Sequence, residues 1–387
     1  MPRSAGLDSA LDPELDPLDL DAVRTALDAA VGAAVEGGDI PGAVAVAGRA
    51  DDACAPVTHG VLRRGGPPVG TDARFDLASL TKVVSTLPAL LRLAGEGRLD
   101  LDAPLATWFP NAGWFRAPSL GARTPRELLT HTSGLPAWVP FMGIASARRT
   151  VIGHALASEL PHGRGEVVYS DLGFVVLGAL VERVTGLRQD DALRELVAGP
   201  LGLAGDELGY RPLPADGATP PPADVPVAAT EDCGWRMRLL SGEVHDEAAW
   251  IMGGVAGHAG LFGTVGALAR YAQAWLAGDP AAGPHDLRAE ATHRATGSGR
   301  PARGLGWALA PDGDEGRPDP AQDGRGPRGY GHTGFTGTSL WIDPEGDRFC
   351  VLLTNRVHPT RHGGAGIAAL RRAVHAAVFG ASGQVPP

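Results

Sequence analysis

Apolar residues recur at helical spacing through Leu20 to Glu36, where Val23, Leu27, Val31 and Val35 share a face and Gly37-Gly38 ends the run. The valine-rich stretches Gly42 to Arg49 and Pro56 to Leu62, each bounded by Gly and Pro, predict two strands. Near the other end, Gly337 to Ile342 and Asp347 to Asn355 flank Asp343-Pro344-Glu345-Gly346, a turn sequence that predicts a hairpin. Ala365 to Val378 then carries a helical stripe of Ile367, Leu370, Val374 and Val378. Helix, strand, strand at one end and strand, strand, helix at the other predict one antiparallel sheet faced by both terminal helices.

The middle reads as mostly helical. Thr124-Pro125-Arg126-Glu127 is a capping box with Pro at the first helical position, and it launches Leu128-Leu129. Leu80 to Ala94, Asp171 to Thr185, Asp190 to Val197 and Thr264 to Leu276 are further predicted helices. Arg211 to Pro226 and Pro311 to Gly329 are too rich in Pro, Gly and Asp for regular structure. The expected division is a disordered acidic leader over 1–19, a sheet domain from 20–95 and 300–380, and a mostly helical subdomain over 96–299.

Composition narrows the partners. A net charge of -10 with no Lys/Arg-rich run lacks the attraction that nucleic acid or an anionic membrane surface needs, so a small-molecule or peptide substrate is expected. Cys54, Cys233 and Cys350 lie far apart in apolar text, as neither a disulfide framework nor zinc-ligand spacing would place them, and are expected to be buried and inert. The amino terminus lacks an apolar signal region and no 18-residue apolar span follows, which gives a cytoplasmic expectation.

The 34 basic side chains include a single lysine, Lys82. It stands in Phe75-Asp76-Leu77-Ala78-Ser79-Leu80-Thr81-Lys82, three residues after Ser79 and at the start of a predicted helix. Positions i and i+3 share a helix face, so the Ser hydroxyl and Lys amine can meet. A serine is a poor nucleophile until a neighbour accepts its proton, and a lysine can lose a proton where an arginine cannot. Burial is expected to bring the Lys82 amine down toward about 7 to 8. His131 reads as a structural residue at a helix end. His245-Asp246-Glu247 with His258 lacks metal-ligand spacing and reads as loop structure near a cleft. Tyr330 and Phe335 are equally compatible with cleft lining and with plain strand positions. No Gly-x-Ser-x-Gly elbow occurs.

Ser79-x-x-Lys82 resembles the first motif of serine β-lactamases, penicillin-binding proteins and related esterases. Tyr169-Ser170-Asp171 is similar to the Tyr-x-Asn second motif of the class C branch, and His332-Thr333-Gly334 to its Lys-Thr-Gly third motif in a His form. The stretches 128–135, 253–262 and 353–356 resemble family text as well.

The resemblance implies an α/β plus all-α fold of the β-lactamase/transpeptidase type, with the site between the sheet and an inserted helical subdomain. It implies Ser79 as nucleophile, Lys82 as the holder of the proton network and Tyr169 as the base. The backbone N–H groups of Ser79 and Phe335 would form the oxyanion hole. Asp171, His332, Thr333 and Gly334 would contact substrate, with His332 hydrogen-bonded to Tyr169 or to a substrate carboxylate. The implied activity is acyl transfer through a covalent Ser79 ester from a carboxylic ester or D-amino-acid peptide or amide, with no cofactor or metal. A relative that acylates an amine or alcohol, and a penicillin-binding sensor that does not turn over, use the same residues. Two departures, Asp171 in place of Asn and the missing third-motif lysine, count against efficient penicillin hydrolysis.

Overall fold

Asp19 opens the first helix, Leu20–Glu36, by accepting the N–H groups of Asp21 and Ala22 on its carboxylate. It therefore belongs to the fold and not to the acidic leader expected over 1–19, the rest of which, up to residue 17, lies outside the described residues. The computed structural model describes residues 18–110, 118–214, 226–309 and 328–380. Most of the two irregular loops expected around 211–226 and 311–329 also falls outside them.

Among the described residues eleven strands follow in chain order: β1 Gly42–Gly48, β2 Val57–Gly60, β3 Phe75–Asp76, β4 Leu208–Tyr210, β5 Ala229–Cys233, β6 Arg238–Ser241, β7 Leu261–Gly263, β8 Ala308–Leu309, β9 Tyr330–Thr333, β10 Ser339–Asp343 and β11 Arg348–Thr354. The two ends of the chain build one antiparallel sheet in the order β2-β1-β11-β10-β9-β8. Its centre is the pairing of β1 with β11, from Ala43 opposite Thr354 to Gly48 opposite Phe349. All seven residues of β1 are buried, so both faces of the sheet are covered there. The terminal helices Leu20–Glu36 and Ile367–Phe379 pack on each other and on this sheet, and the helix Val265–Leu276 packs on β1, β10 and β11.

The middle of the chain also contains strands that the sequence pattern does not announce. β3, β7 and β4 form a small sheet and β5 pairs with β6 as a hairpin. β3, β4 and β7, of two or three residues each, are too short to show an alternation. The helix predicted over Leu80 to Ala94 contains a five-residue π turn, Lys82–Thr86, ahead of the α-helix Leu87–Gly95. Such turns often sit at functional sites, because the wider turn re-aims its side chains. The three cysteines are free and buried, and burial raises the thiols of Cys54 and Cys350. Tyr330 is buried in an aromatic cluster with Trp275 and Trp307, which settles it as core.

Candidate active site

Ser79 is set by a strained turn. Ala78, immediately before it, has φ +47°, a conformation that costs energy for a residue with a Cβ. The buried carboxylate of Asp76 holds that turn by accepting the Ala78 N–H at 2.8 Å and the His245 N–H at 2.7 Å. Thr336 and Thr338 donate their hydroxyls to the carbonyls of Asp76 and Leu77, so the third-motif turn is tied to the segment that leads into Ser79. Gly334 is required at this crossing: a Cβ there would lie 2.1 Å from Thr338 Oγ1 and 2.7 Å from the Leu77 carbonyl.

Behind Ser79, Lys82 has no exposed surface. Its Nζ donates to Ser79 Oγ at 2.9 Å and to the His258 carbonyl at 3.1 Å, and stands 2.7 Å from Asp171 Oδ1. Further links fasten the same helix to the 253–262 stretch, from Leu261 N–H to Thr81 Oγ1 and from Thr86 Oγ1 to the Gly257 carbonyl. The expectation that burial would lower the Lys82 amine is overturned. Burial does lower it, but the charges of Asp171 and Tyr169 and their hydrogen bonds outweigh it, and the amine is raised above its ordinary value.

Tyr169 interacts with both Lys82 and Ser79 through its phenol. Burial raises the phenol, with a smaller opposing effect from Lys82, so its resting form is the neutral phenol. Ser170 caps the helix Asp171–Thr185 and Asp171 is its first residue, so one helix start places both Tyr169 and Asp171. His131, with φ +58° at the end of the short helix Pro125–Leu129, accepts the Ser170 N–H on Nδ1 at 3.0 Å and lies 4.6 Å from the Tyr169 ring. Its structural reading stands, and the structure it maintains is the seat of Tyr169.

Asp171, expected to face substrate, instead has a carboxylate oxygen against Lys82 while its residue still lines the cleft. Of the two partners expected for His332, Tyr169 or a substrate carboxylate, Tyr169 is not bonded to it: His332 Nδ1–H donates to the Thr333 carbonyl at 2.8 Å, with the His332 and Tyr169 rings 5.8 Å apart. Burial first, then the charges of Lys82 and Arg303, lower His332 to about 3, so it is a neutral imidazole.

The cleft holds about 660 Å³. Ser79, Tyr169, Asp171, His332, Thr333, Gly334 and Phe335 all line it, and Lys82 lies beneath Ser79. Neither the Ser79 nor the Phe335 N–H donates to another described group. His245, Asp246 and His258 form part of the wall, as the loop reading expects, with His245 paired to Glu231 at 3.1 Å and His258 to Asp246 at 2.8 Å. Among the described residues no three His, Cys, Asp or Glu side chains gather as a metal site, and no helix is long and apolar enough to cross a membrane.

Sequence reasoning missed Asp76 and Arg303. A lone acid inside the apolar text before Ser79 was a usable signal for Asp76. Arg303, whose guanidinium stands 5.7 Å from the centre of the Tyr169 ring, had none, being one arginine among many.

The family model described as Beta-lactamase matches residues 27–375. A putative D-alanyl-D-alanine carboxypeptidase of Escherichia coli K12 is 34% identical over 315 residues, covering 74% of this chain and 70% of the relative. The hydrolase with promiscuous acyltransferase activity EstCE1 superposes with a TM-score of 0.71 at 22% identity, over 92% of this chain and 99% of the other. A class C β-lactamase from Rhodobacter sphaeroides gives 0.66 at 21% identity, over 90% and 98%. With its motifs gathered in one cleft and its fold shared with these enzymes, the chain belongs to the Beta-lactamase family of serine hydrolases.

Proposed function

We propose that the protein hydrolyses a carboxylic ester or a D-amino-acid peptide or amide through a covalent acyl-Ser79 intermediate. The observation that carries this reading is the 2.9 Å contact between Ser79 Oγ and the Nζ of the sole lysine, at the floor of the cleft. The similarity to a putative D-alanyl-D-alanine carboxypeptidase supports the D-configured peptide as a substrate class.

Ser79 Oγ attacks the acyl carbon and gives its proton into the Tyr169–Lys82 pair. The N–H groups of Ser79 and Phe335 receive the developing oxyanion, which preorganised donors stabilise better than water does. The neutral phenol of Tyr169 can accept this proton only by passing its own onward, so it acts as a link in a chain. The leaving group takes a proton back from the same chain, and water then repeats the sequence on the ester.

The test is a panel of p-nitrophenyl esters, D-alanyl dipeptides and nitrocefin, with mass spectrometry of enzyme trapped by a fluorophosphonate. Multiple turnovers and an adduct on Ser79 are expected. An adduct on a different serine overturns the site, and one equivalent of product without turnover makes the protein a sensor. Transfer of the acyl group to added alcohol in preference to water makes it an acyltransferase.

A further inference from the structure

We propose that Asp171 is the proton acceptor of the acylation step, receiving through Lys82 the proton that Ser79 releases. The inference rests on Ser79 being the nucleophile and places the proton which that assignment leaves without a destination.

The argument is a census of charge around a buried ammonium. The hydroxyl of Ser79 and the carbonyl of His258 can accept hydrogen bonds from Nζ but cannot neutralise it. Asp171 can, at 2.7 Å, from the first turn of a 15-residue helix where a carboxylate is favoured. Every other group that faces this pair is occupied or neutral. Tyr169 is a neutral phenol, and its ring lies between His131 on one side and His332 on the other. Burial keeps both imidazoles uncharged, His131 from the turn after Pro125–Leu129 and His332 from β9. Asp246 engages His258 Nε2, and Arg303 stands over the Tyr169 ring as a fixed cation. Among these groups Asp171 alone both touches Lys82 and has an empty place for a proton.

The step balances as follows. Ser79 Oγ bonds to the acyl carbon as its O–H bond breaks. An Nζ proton first passes to Asp171 Oδ1, and the amine so formed takes the Ser79 proton, so Lys82 begins and ends as an ammonium and Asp171 ends as a carboxylic acid. When the tetrahedral adduct collapses, the proton returns from Asp171 through Lys82 and Tyr169 to the leaving oxygen or nitrogen, whose bond to carbon breaks. Lys82 is a free amine only in passing, between its transfer to Asp171 and its uptake from Ser79, which reconciles its raised basicity at rest with a catalytic place.

Asp171→Asn tests this, since the amide keeps the shape and loses the proton site. Without the carboxylate, burial depresses the Lys82 amine and the variant must run on that free amine. The acid limb of kcat/KM should move up by at least about one pH unit, with about a tenfold loss near pH 7 that is recovered at higher pH. Asp171→Glu should keep the limb where the wild type has it. An acid limb unmoved in folded Asp171→Asn overturns the proposal, because a merely structural aspartate would lower melting temperature or raise KM and leave the limb in place. The wild type gives a second reading that needs no variant. A carboxylate acceptor places its acid limb below about pH 6, and a free lysine amine places it near or above about pH 7, which would reject Asp171. Fluorophosphonate mapping of the wild type separates the two failures: no adduct on Ser79 defeats the nucleophile assignment, whereas an adduct with the limb unmoved defeats only the role of Asp171.

Discussion

Lys82 reaches Ser79 Oγ at 2.9 Å from a side chain with no exposed surface. An arginine in its place would keep the positive charge but hold its protons, since a guanidinium is not deprotonated in proteins. Lys82→Arg should therefore lose at least about a hundredfold in kcat, the lower range of what acid–base catalysis contributes. Circular dichroism and melting temperature should show the fold intact. Tyr169→Phe should lose a similar amount and the double variant little more, because groups that act as one unit are not additive. A folded Lys82→Arg enzyme with more than about a tenth of wild-type kcat would mark the lysine as a bystander.

Substrate preference follows from charge at the third motif. His332 is neutral and Asp171 is turned to Lys82, so neither supplies the cation nor the amide donor found at these positions in antibiotic-hydrolysing members. Short-chain esters should exceed nitrocefin by roughly two orders of magnitude in kcat/KM, about 2.7 kcal/mol of transition-state discrimination. Equal turnover of the two in a stopped-flow comparison would remove the basis for this preference.

His332 also predicts how stability depends on pH. Its folded value of about 3 lies below the ordinary imidazole value of 6.5, so between those two points the unfolded chain binds a proton that the folded one does not. Its contribution is present above pH 6.5 and is lost as pH falls toward 3. The slope attributable to this one group approaches about 1.4 kcal/mol per pH unit. Urea denaturation between pH 7 and about 4.5 should show a shallower slope for His332→Gln than for the wild type, and identical slopes would contradict the buried neutral imidazole.

Gly334→Ala tests the crossing of the third motif over the segment before Ser79. The new Cβ meets Thr338 Oγ1 and the Leu77 carbonyl inside contact distance, so the turn must lift away from Ser79. Moving the Phe335 N–H from its partner donor should cost about 10² to 10³ in kcat, as the loss of one oxyanion donor does. Wild-type kcat in this variant would place the oxyanion elsewhere.

The gathering of the motif residues in one cleft was legible because their type and spacing are constrained. Ser79 and Lys82 must share a helix face, and the motif residues Tyr169, Asp171 and His332 arrive in order along the chain. The terminal strands and helices were legible for a similar reason, since Val23, Leu27 and Val31 or the valines of β1 report periodicity directly. Protonation was not. The direction of Lys82 depends on a contest between burial and Asp171, and sequence order does not reveal that these two side chains touch. The π turn at Lys82–Thr86 was hidden because a single widened turn barely alters an apolar pattern. The place of the 253–262 stretch was hidden because its contributions to Lys82 and Thr86 are backbone carbonyls, which any residue possesses.

The pairing of Ala43 with Thr354 has a consequence for biosynthesis. β1 and β2 leave the ribosome well before β11, the strand that completes the sheet beside them. Until then the edge of β1 has unmatched backbone donors and acceptors, a surface that invites pairing with other chains. The third-motif turn tied to the segment before Ser79 emerges only just before β11, so until then a nascent chain carries Ser79 and Lys82 without a finished cleft around them.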